Sequence, residues 1–437
     1  MSMPQPCRWA VPLLVLVAAL ALQWPLLFNP GYFSHDELQW AALATSGAPS
    51  PWRDVTAFQY RPLTFSLWMA LSRSLFASPM AFHAVLVSWG SLNAVLLYGV
   101  GRGFGLSRAV AAAGALGFVL TPYAAYTHGW VGCLADLIWL SCALLIALLV
   151  QHVRAPWLAA CGSALLMALA LLAKEAAFAI PPLLLLAWWL DGRKPVWLAA
   201  MLASGALAAV YLGLRLDVLL HAPREGSQYT LSVRNLPQRW FEYQIFAPIP
   251  PLLEISTTLR RSGPVLVAGL LWSGLLAALW RASPRLCALF LLGGIAALLP
   301  VLPLGSSWNH YGYGFAAITA MTIAAAWPQA SRPGRSAILV FAVLSALHGG
   351  AVMWRIQHVG RIQSVFSPAL AQAVRAHPYT HVTLSPAPAA KVWIFARLTH
   401  AIPAYDGVAI GDRVRLVDTP AQADYSIEAD GQLRALR

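Results

Sequence analysis

Charge is scarce in this 437-residue chain: 10% of its residues are Asp, Glu, Lys or Arg, against 59% hydrophobic, and the mean hydropathy is +0.64. A soluble protein of this size needs far more charge to cover its surface, so the composition excludes an ordinary water-soluble globule. Acids are the scarcer sign, 16 against 29 Lys and Arg, and the net charge is +13. That surplus forms no nucleic-acid-binding face. The arginines sit at the ends of apolar runs, where topology signals and interfacial anchors belong. Cysteine is sparse too, and the five present have neither a disulfide framework nor zinc-ligand spacing. There is no long-period repeat and no low-complexity tract. G-x-S-x-G and H-E-x-x-H are both missing, which leaves hydrolase and zincin readings without a motif. The glycine run "GVGRGFG" at 99–105 lacks G-x-G-x-x-G and G-K-[ST] and follows an apolar run rather than a strand, so it is no nucleotide loop.

What the chain does have is apolar segments of roughly 17–25 residues, the length that crosses about 30 Å of hydrocarbon. About eleven can be counted, with cores near 9–28, 80–101, 108–121, 134–151, 157–172, 176–190, 196–216, 264–281, 286–303, 312–327 and 336–354. The predicted fold class is an all-α polytopic membrane protein, with "PCRWAVPLLVLVAALALQWPLLF" as a retained first helix. Nineteen tryptophans suit interfacial belts. The short connections "GRGFGLSR", "QHVRAP", "DGRKP", "WRASPR" and "SRPGR" are basic. The alternate connections are longer or carry acids, aromatics and His. The positive-inside rule then predicts a cytoplasmic N-terminus and, for an odd span count, an external C-terminus in a bacterial-type cytoplasmic (inner) membrane.

Three external features are expected. Residues 29–79 form a loop with two amphipathic interfacial helices, "DELQWAALATS" and "PLTFSLWMALSRSLF". Residues 217–263 form a second long loop. A membrane domain over 1–355 then gives way to a small C-terminal periplasmic α/β unit over 356–437, with a helix near 366–376 and strands at "HVTLS", "VWIFARL" and "DYSIEA".

Five polar clusters punctuate the external side. In "GYFSHDELQW", Ser34 and Glu37 have the spacing of a capping box and Asp36 suits a helix N-terminus. A carboxylate at the membrane–water boundary beside His35 also suits a general base or a metal ligand. In "QYRPLTFSLW", Arg61 precedes Pro62 and reads as an interfacial anchor or a phosphate clamp. In "LTPYAAYTHGWVGCLADLIW", Asp136 is a helix cap or a functional acid at the span entry, near Tyr126 and His128. In "LLAKEAAFAIPPLLLL", Lys174 and Glu175 lie between two apolar runs, as a polar turn or a phosphate contact. In "SSWNHYGYGFAAI", His310, Tyr311 and Tyr313 open a late span, as an aromatic belt or as hydrogen-bonding partners for a sugar or phosphate.

Together these stretches resemble the GT-C superfamily of membrane glycosyltransferases, most closely the polyprenyl-phosphate-sugar-dependent O-mannosyltransferase and transmembrane-and-TPR mannosyltransferase types. The family's acidic pair in the first outer loop matches Asp36 and Glu37. Its R-P-L-T element matches "YRPLTFSLW", its H-P…W-V-x-G-R-x-D-L pattern "TPYAAYTHGWVGCLADL", its K-E step "LLAKEAAFAIPPLLLL", and its late aromatic span entry "NHYGYGF". The order and spacing agree over roughly 20–190 and more loosely to about 320. The chain departs from the pattern at Leu134 and His310, where the family has Arg, at Thr121 in place of a His, and at Ala124 and Tyr126. No TPR array follows.

The resemblance implies a GT-C bundle of about eleven helices. It also implies inverting transfer of a sugar from a polyprenyl-phosphate donor to a hydroxyl on a glycan, lipid or protein. Asp36 would be the general base with Glu37 beside it. Arg61 and Lys174 would hold the phosphate, and His35, His128, Asp136, Glu175, His310 and Tyr311 would contact substrate. No cofactor is required, and a divalent metal (Mg or Mn) at Asp36 is an option. The alternatives are a flippase-like carrier of lipid-linked sugar, which would place charges along mid-span helices, and a polysaccharide polymerase or ligase using Arg224, Arg234, Arg239, Arg260 and Arg261.

Overall fold

The computed structural model describes residues 9–47, 50–221, 226–250, 252–260 and 262–436. The protein is mostly helical, and each apolar core expected from the sequence overlaps at least one helix, though 286–303 runs past the helix end at Leu298, 9–28 crosses a helix break and 108–121 runs into one. Six of the described helices are long and apolar enough to cross a membrane: Pro79–Gly103, Val131–His152, Pro156–Ala173, Pro195–His221, Ser262–Ala282 and Arg332–Ala376. A seventh results if the bent pair Arg108–Val119 and Pro122–Gly129 is one span. Ala10–Leu22, Glu175–Leu190 and Pro284–Leu298 are apolar but shorter, and Tyr313–Ala326 has 14 residues, so eleven full-length spans are not reached by this measure.

The breaks in these helices are local chemistry. Arg108–Val119 and Pro122–Gly129 meet at 60° because Thr121 caps the second leg, its hydroxyl accepting from the Ala124 N–H, and Pro122 occupies the first helical position. The first helix stops at Gln23, whose buried side chain donates to the Ala19 carbonyl and to Ser91 Oγ. A polar side chain there keeps a hydrogen-bonded kink satisfied inside an apolar bundle.

The basic connections lie together at one end of the bundle. Gln151 donates to the Val100 carbonyl at 3.1 Å, and Phe104 stacks on Trp197 with ring centroids 5.7 Å apart. Pro156–Ala173 starts after one of these connections and ends at Lys174, and Val131–His152 runs back from Asp136 to the same basic end. The polar clusters therefore collect at the opposite end of the same helices.

Arg332–Ala376 is a single 45-residue helix, roughly 68 Å long at 1.5 Å per residue, more than twice a hydrocarbon thickness. The sequence suggested a span near 336–354 and a separate helix near 366–376. In the structure they are continuous, with Pro368 inside the helix, and the helix runs through the expected boundary at 355. It holds the start of the first loop: the Tyr32 N–H donates to Gln363 Oε1 at 2.9 Å, and Gln357 Nε2 donates to the Phe28 carbonyl at 3.2 Å. Two glycines make close approaches here. A Cβ on Gly360 would overlap the Asn29 side chain, and one on Gly349 would overlap the Leu120 carbonyl at the bend. Gly349→Ala is expected to cost about 1–3 kcal/mol by overpacking, read as a lowered Tm of the solubilised protein, because the obstructing atom is backbone and cannot rotate away. An unchanged Tm would show that the two helices are not in such contact.

The C-terminal unit is a four-stranded sheet in the order Val414–Leu416, Val382–Pro386, Tyr425–Ile427, Leu433–Ala435, the first two pairings parallel and the last antiparallel. The strands expected at "HVTLS" and "DYSIEA" are there. "VWIFARL" is not a strand but the helix Val392–Thr399. Its β-branched and aromatic residues suggest a strand, yet the residues it buries are Ile394, Phe395 and Leu398, a helical spacing that presses Phe395 on Phe366 at 5.0 Å.

Candidate functional site

The first loop enters the helix His35–Thr45 through an N-cap at Ser34, extended at φ −140°, ψ 163°. The capping box forms and goes further than a box requires. Glu37 Oε2 accepts from the Ser34 and Phe33 N–H groups, each at 2.7 Å, and Oε1 accepts from the Val131 N–H at 3.1 Å. Burial pushes the Glu37 carboxyl up to about 8, against the pull of the three N–H donors toward its charged form. Glu37 is thereby spent on tying the loop to residue 131, and it does not line the cavity described below. Asp36, one position earlier, points the other way. It lines that cavity with its side chain 31% exposed, and its Oδ1 lies 3.1 Å from His35 Nε2. The two acids expected to share the chemistry are thus divided by geometry into one bracing carboxyl and one free to meet a ligand.

Arg61 is the N-cap of Pro62–Leu75, with Pro62 at the first helical position. Its Nε and Nη2 both donate to Glu175 Oε2 at 2.8 Å. Lys174 is the extended residue, φ −164° and ψ 143°, that breaks Pro156–Ala173 from the 3-10 turn Glu175–Ala179. Its Nζ donates to Asp136 Oδ2 at 2.6 Å and lies 4.9 Å from the centroid of the Tyr311 ring. Asp136 is held by Trp139 Nε1 at 3.3 Å. Lys174 and Asp136 are 5% and 1% exposed, so they form a buried pair rather than a snorkelling turn.

These side chains meet at a cavity of about 1230 Å³. Asp36, His35, Arg61, Lys174, His310 and Tyr311 line it, while Glu175 and Asp136, the acids paired with the two cations, do not. Donors face the space and their counter-charges stand behind, an arrangement that presents positive groups to a ligand without leaving a charge unpaired when the cavity holds only solvent. Burial first, then the nearby charges of Lys174, Arg61 and Arg397, hold the His310 imidazole well below its usual pKa, so it is neutral and able to accept a hydrogen bond. An aromatic shelf completes the wall: Trp40 stacks on Phe65 and tilts against Trp68, each with centroids 4.6 Å apart.

Besides Glu37, three expected site residues are placed elsewhere. Asp136 and Glu175 reach the cavity only through Lys174 and Arg61. His128 is fully buried inside the bundle, with Nδ1 on Gln23 Oε1, Nε2 on Tyr313 Oη at 2.7 Å, and its ring against Gly90. The 60° bend turns it inward, and it cannot contact a ligand in this cavity. Of the arginines expected in the second long loop, Arg224 and Arg261 lie outside the described residues. Arg234 and Arg260 are exposed, and Arg239 pairs with Glu242 at 2.7 Å; none of these three lines the cavity. The four described cysteines, Cys133, Cys142, Cys161 and Cys287, are free thiols.

The cavity also has a wall the sequence did not suggest. Arg397 and His400, from the C-terminal helix and the residue after it, face Asp36 and His35 across it, with the His400 and His35 rings 5.0 Å apart. Gln39 Nε2 donates to the Ala401 carbonyl at 2.9 Å. The signal was available only on the correct secondary structure, since a helix places Arg397 and His400 on one face while a strand at "VWIFARL" does not. Among the described residues no group of three or more His, Cys, Asp or Glu is placed to hold a metal ion. Asp36 and His35 offer two donors, short of a protein-built metal site, so no step is assigned to a metal. No known family model, no curated protein and no solved structure matches this chain.

Proposed function

We propose that this chain is a membrane glycosyltransferase of the GT-C kind, moving a sugar from a polyprenyl-phosphate donor to a hydroxyl acceptor. The observation that carries the reading is the division of the cavity wall: Asp36, the one carboxylate among the described lining residues, in a first helical turn, and two cations, Arg61 and Lys174, whose paired acids stand outside it. That is the charge pattern a displacement at an anomeric carbon calls for. An acceptor O–H attacks the anomeric carbon, and Asp36 takes the proton as the new C–O bond forms. The bond from carbon to phosphate oxygen breaks with inversion, and the electron pair leaves on the lipid phosphate. Arg61 and Lys174 stabilise the charge that grows there.

The surroundings support the same reading. The cavity is at the end of long apolar helices, where a lipid phosphate would sit, and the Trp40, Phe65 and Trp68 shelf suits the apolar face of a sugar. On the positive-inside rule the basic ends face the cytoplasm, which puts the cavity on the periplasmic face of a bacterial-type inner membrane. The carrier reading lacks its expected feature, since the described ion pairs that border this cavity lie at helix ends rather than along a mid-span path.

The test is transfer itself. The full chain, reconstituted with a panel of labelled polyprenyl-phosphate sugars and envelope acceptors, is expected to release polyprenyl phosphate and move label to acceptor. Mass spectrometry of cell-surface glycans with and without the protein is expected to show one missing sugar. No transfer across the panel together with unchanged surface glycans would overturn the reading.

A further inference from the structure

Three cavity-wall residues each carry a buried polar atom that has no hydrogen-bond partner: Arg397 Nε, Trp130 Nε1 and His310 Nδ1. A buried unpaired polar group costs roughly 1–3 kcal/mol, so three on one cavity wall mark a place where water or a ligand supplies their partners. They are contiguous. The Arg397 guanidinium is 5.8 Å from the Trp130 ring, and the Trp130 and His310 rings are 5.3 Å apart. Arg397 is anchored on its far side, with Nη1 on Glu254 Oε1 at 3.1 Å and the guanidinium 4.3 Å over the Phe33 ring. Glu254, like the acids behind Arg61 and Lys174, does not line the cavity. Arg397 therefore repeats the construction of the other two cations, a cation lining the space with its carboxylate outside it, and His310 lies within the field of all three.

We propose that Arg397, carried by the C-terminal unit, is a binding residue for the phosphate of the lipid donor, with Trp130 and His310 beside it. The C-terminal unit then completes the anion site that the membrane helices leave open on one side. The inference rests on the phosphate reading of Arg61 and Lys174 and extends it to a part of the chain outside the membrane domain. Guanidinium–phosphate contacts are among the stronger charge-assisted hydrogen bonds, and Arg can offer Nε to the ligand while Nη1 keeps Glu254.

Equilibrium binding to the solubilised full chain tests it, using a radiolabelled polyprenyl monophosphate, the uncharged polyprenol of the same length, and inorganic phosphate as competitor. Arg397→Ala is expected to weaken the lipid phosphate about tenfold or more and to leave polyprenol binding unchanged. Glu254→Gln, which removes the counter-charge of the guanidinium without touching the cavity wall and leaves its contacts with Tyr126 and Phe33, is expected to retain or raise affinity for the lipid phosphate. Wild-type affinity in Arg397→Ala would overturn the proposal and leave the rest of the site standing. An equal loss in Glu254→Gln and Arg397→Ala, or a matching loss of polyprenol binding, would reduce Arg397 to holding the C-terminal unit in place and also overturn it. A wild-type protein that binds polyprenol as tightly as the phosphate would remove the phosphate reading of the whole cavity. Competition by inorganic phosphate alone, with no added affinity from the lipid, would assign the site to free phosphate.

Discussion

Asp36→Asn is expected to cut sugar transfer by about 10²–10⁴-fold, the usual worth of a positioned base, while leaving the protein folded. The reason lies in what Asp36 does not do. The cap of His35–Thr45 is held by Ser34 and Glu37, and the ion-pair partner of Asp36 among the described residues is the partly exposed His35. Losing its favourable place in the first helical turn costs about 0.3–1 kcal/mol, a small change in Tm. Glu37→Gln makes the contrast. It is expected to lower stability first, because the amide nitrogen would face a backbone N–H that now donates to a carboxyl oxygen, with Val131, Phe33 and Ser34 all depending on those two oxygens. Transfer by Asp36→Asn within about threefold of wild type, with an intact Tm, would remove Asp36 from the role of base.

The second large effect concerns the buried pair. Lys174→Met is expected to destabilise the protein by about 3–5 kcal/mol, because it leaves the Asp136 carboxyl without its partner at 1% exposure. On its own this says nothing of catalysis, since the variant fails by misfolding. The double variant Lys174→Met with Asp136→Asn separates the two. The neutral amide keeps an acceptor for Trp139 Nε1 and needs no counter-ion, so chemical denaturation of the solubilised protein is expected to show most of the lost stability restored. Transfer is expected to stay low, because the cavity still lacks one of the cations proposed to meet the leaving phosphate. Recovery of both stability and transfer in the double variant would make Lys174 a structural partner of Asp136 and nothing more.

Much of this was legible along the chain because it depends on short-range rules. A capping box is a four-residue pattern, and "SHDE" forms one. Pro62 starts a helix where a proline should, with Arg61 as its cap. "VTLS" pairs as a strand. Apolar length and the placement of arginines marked the helices, because a span can satisfy its backbone only within itself and leaves hydropathy as its signature. The same rules misread "VWIFARL", where local propensity favours a strand and burial against Phe366 selects a helix. They also divided a 45-residue helix in two, since a change of composition near residue 355 marks where the apolar face ends and not where the backbone hydrogen bonding stops.

The sequence by itself determined the helices apolar enough to cross a membrane, the helical class, the ends at which polar residues collect, and the two loops and the tail that lie there. All of these follow from hydropathy, charge and contacts a few residues apart. Only the tertiary structure decided which polar residue faces what. Adjacent acids part because Glu37 is claimed by the N–H of residue 131, far along the chain. Lys174 and Arg61 become donors to a cavity because Asp136 and Glu175 arrive behind them from other elements. His128 is withdrawn by a 60° bend, and Arg397 arrives from the tail. Each of these is a long-range pairing, and no local periodicity encodes which side of an acid its partner will come from.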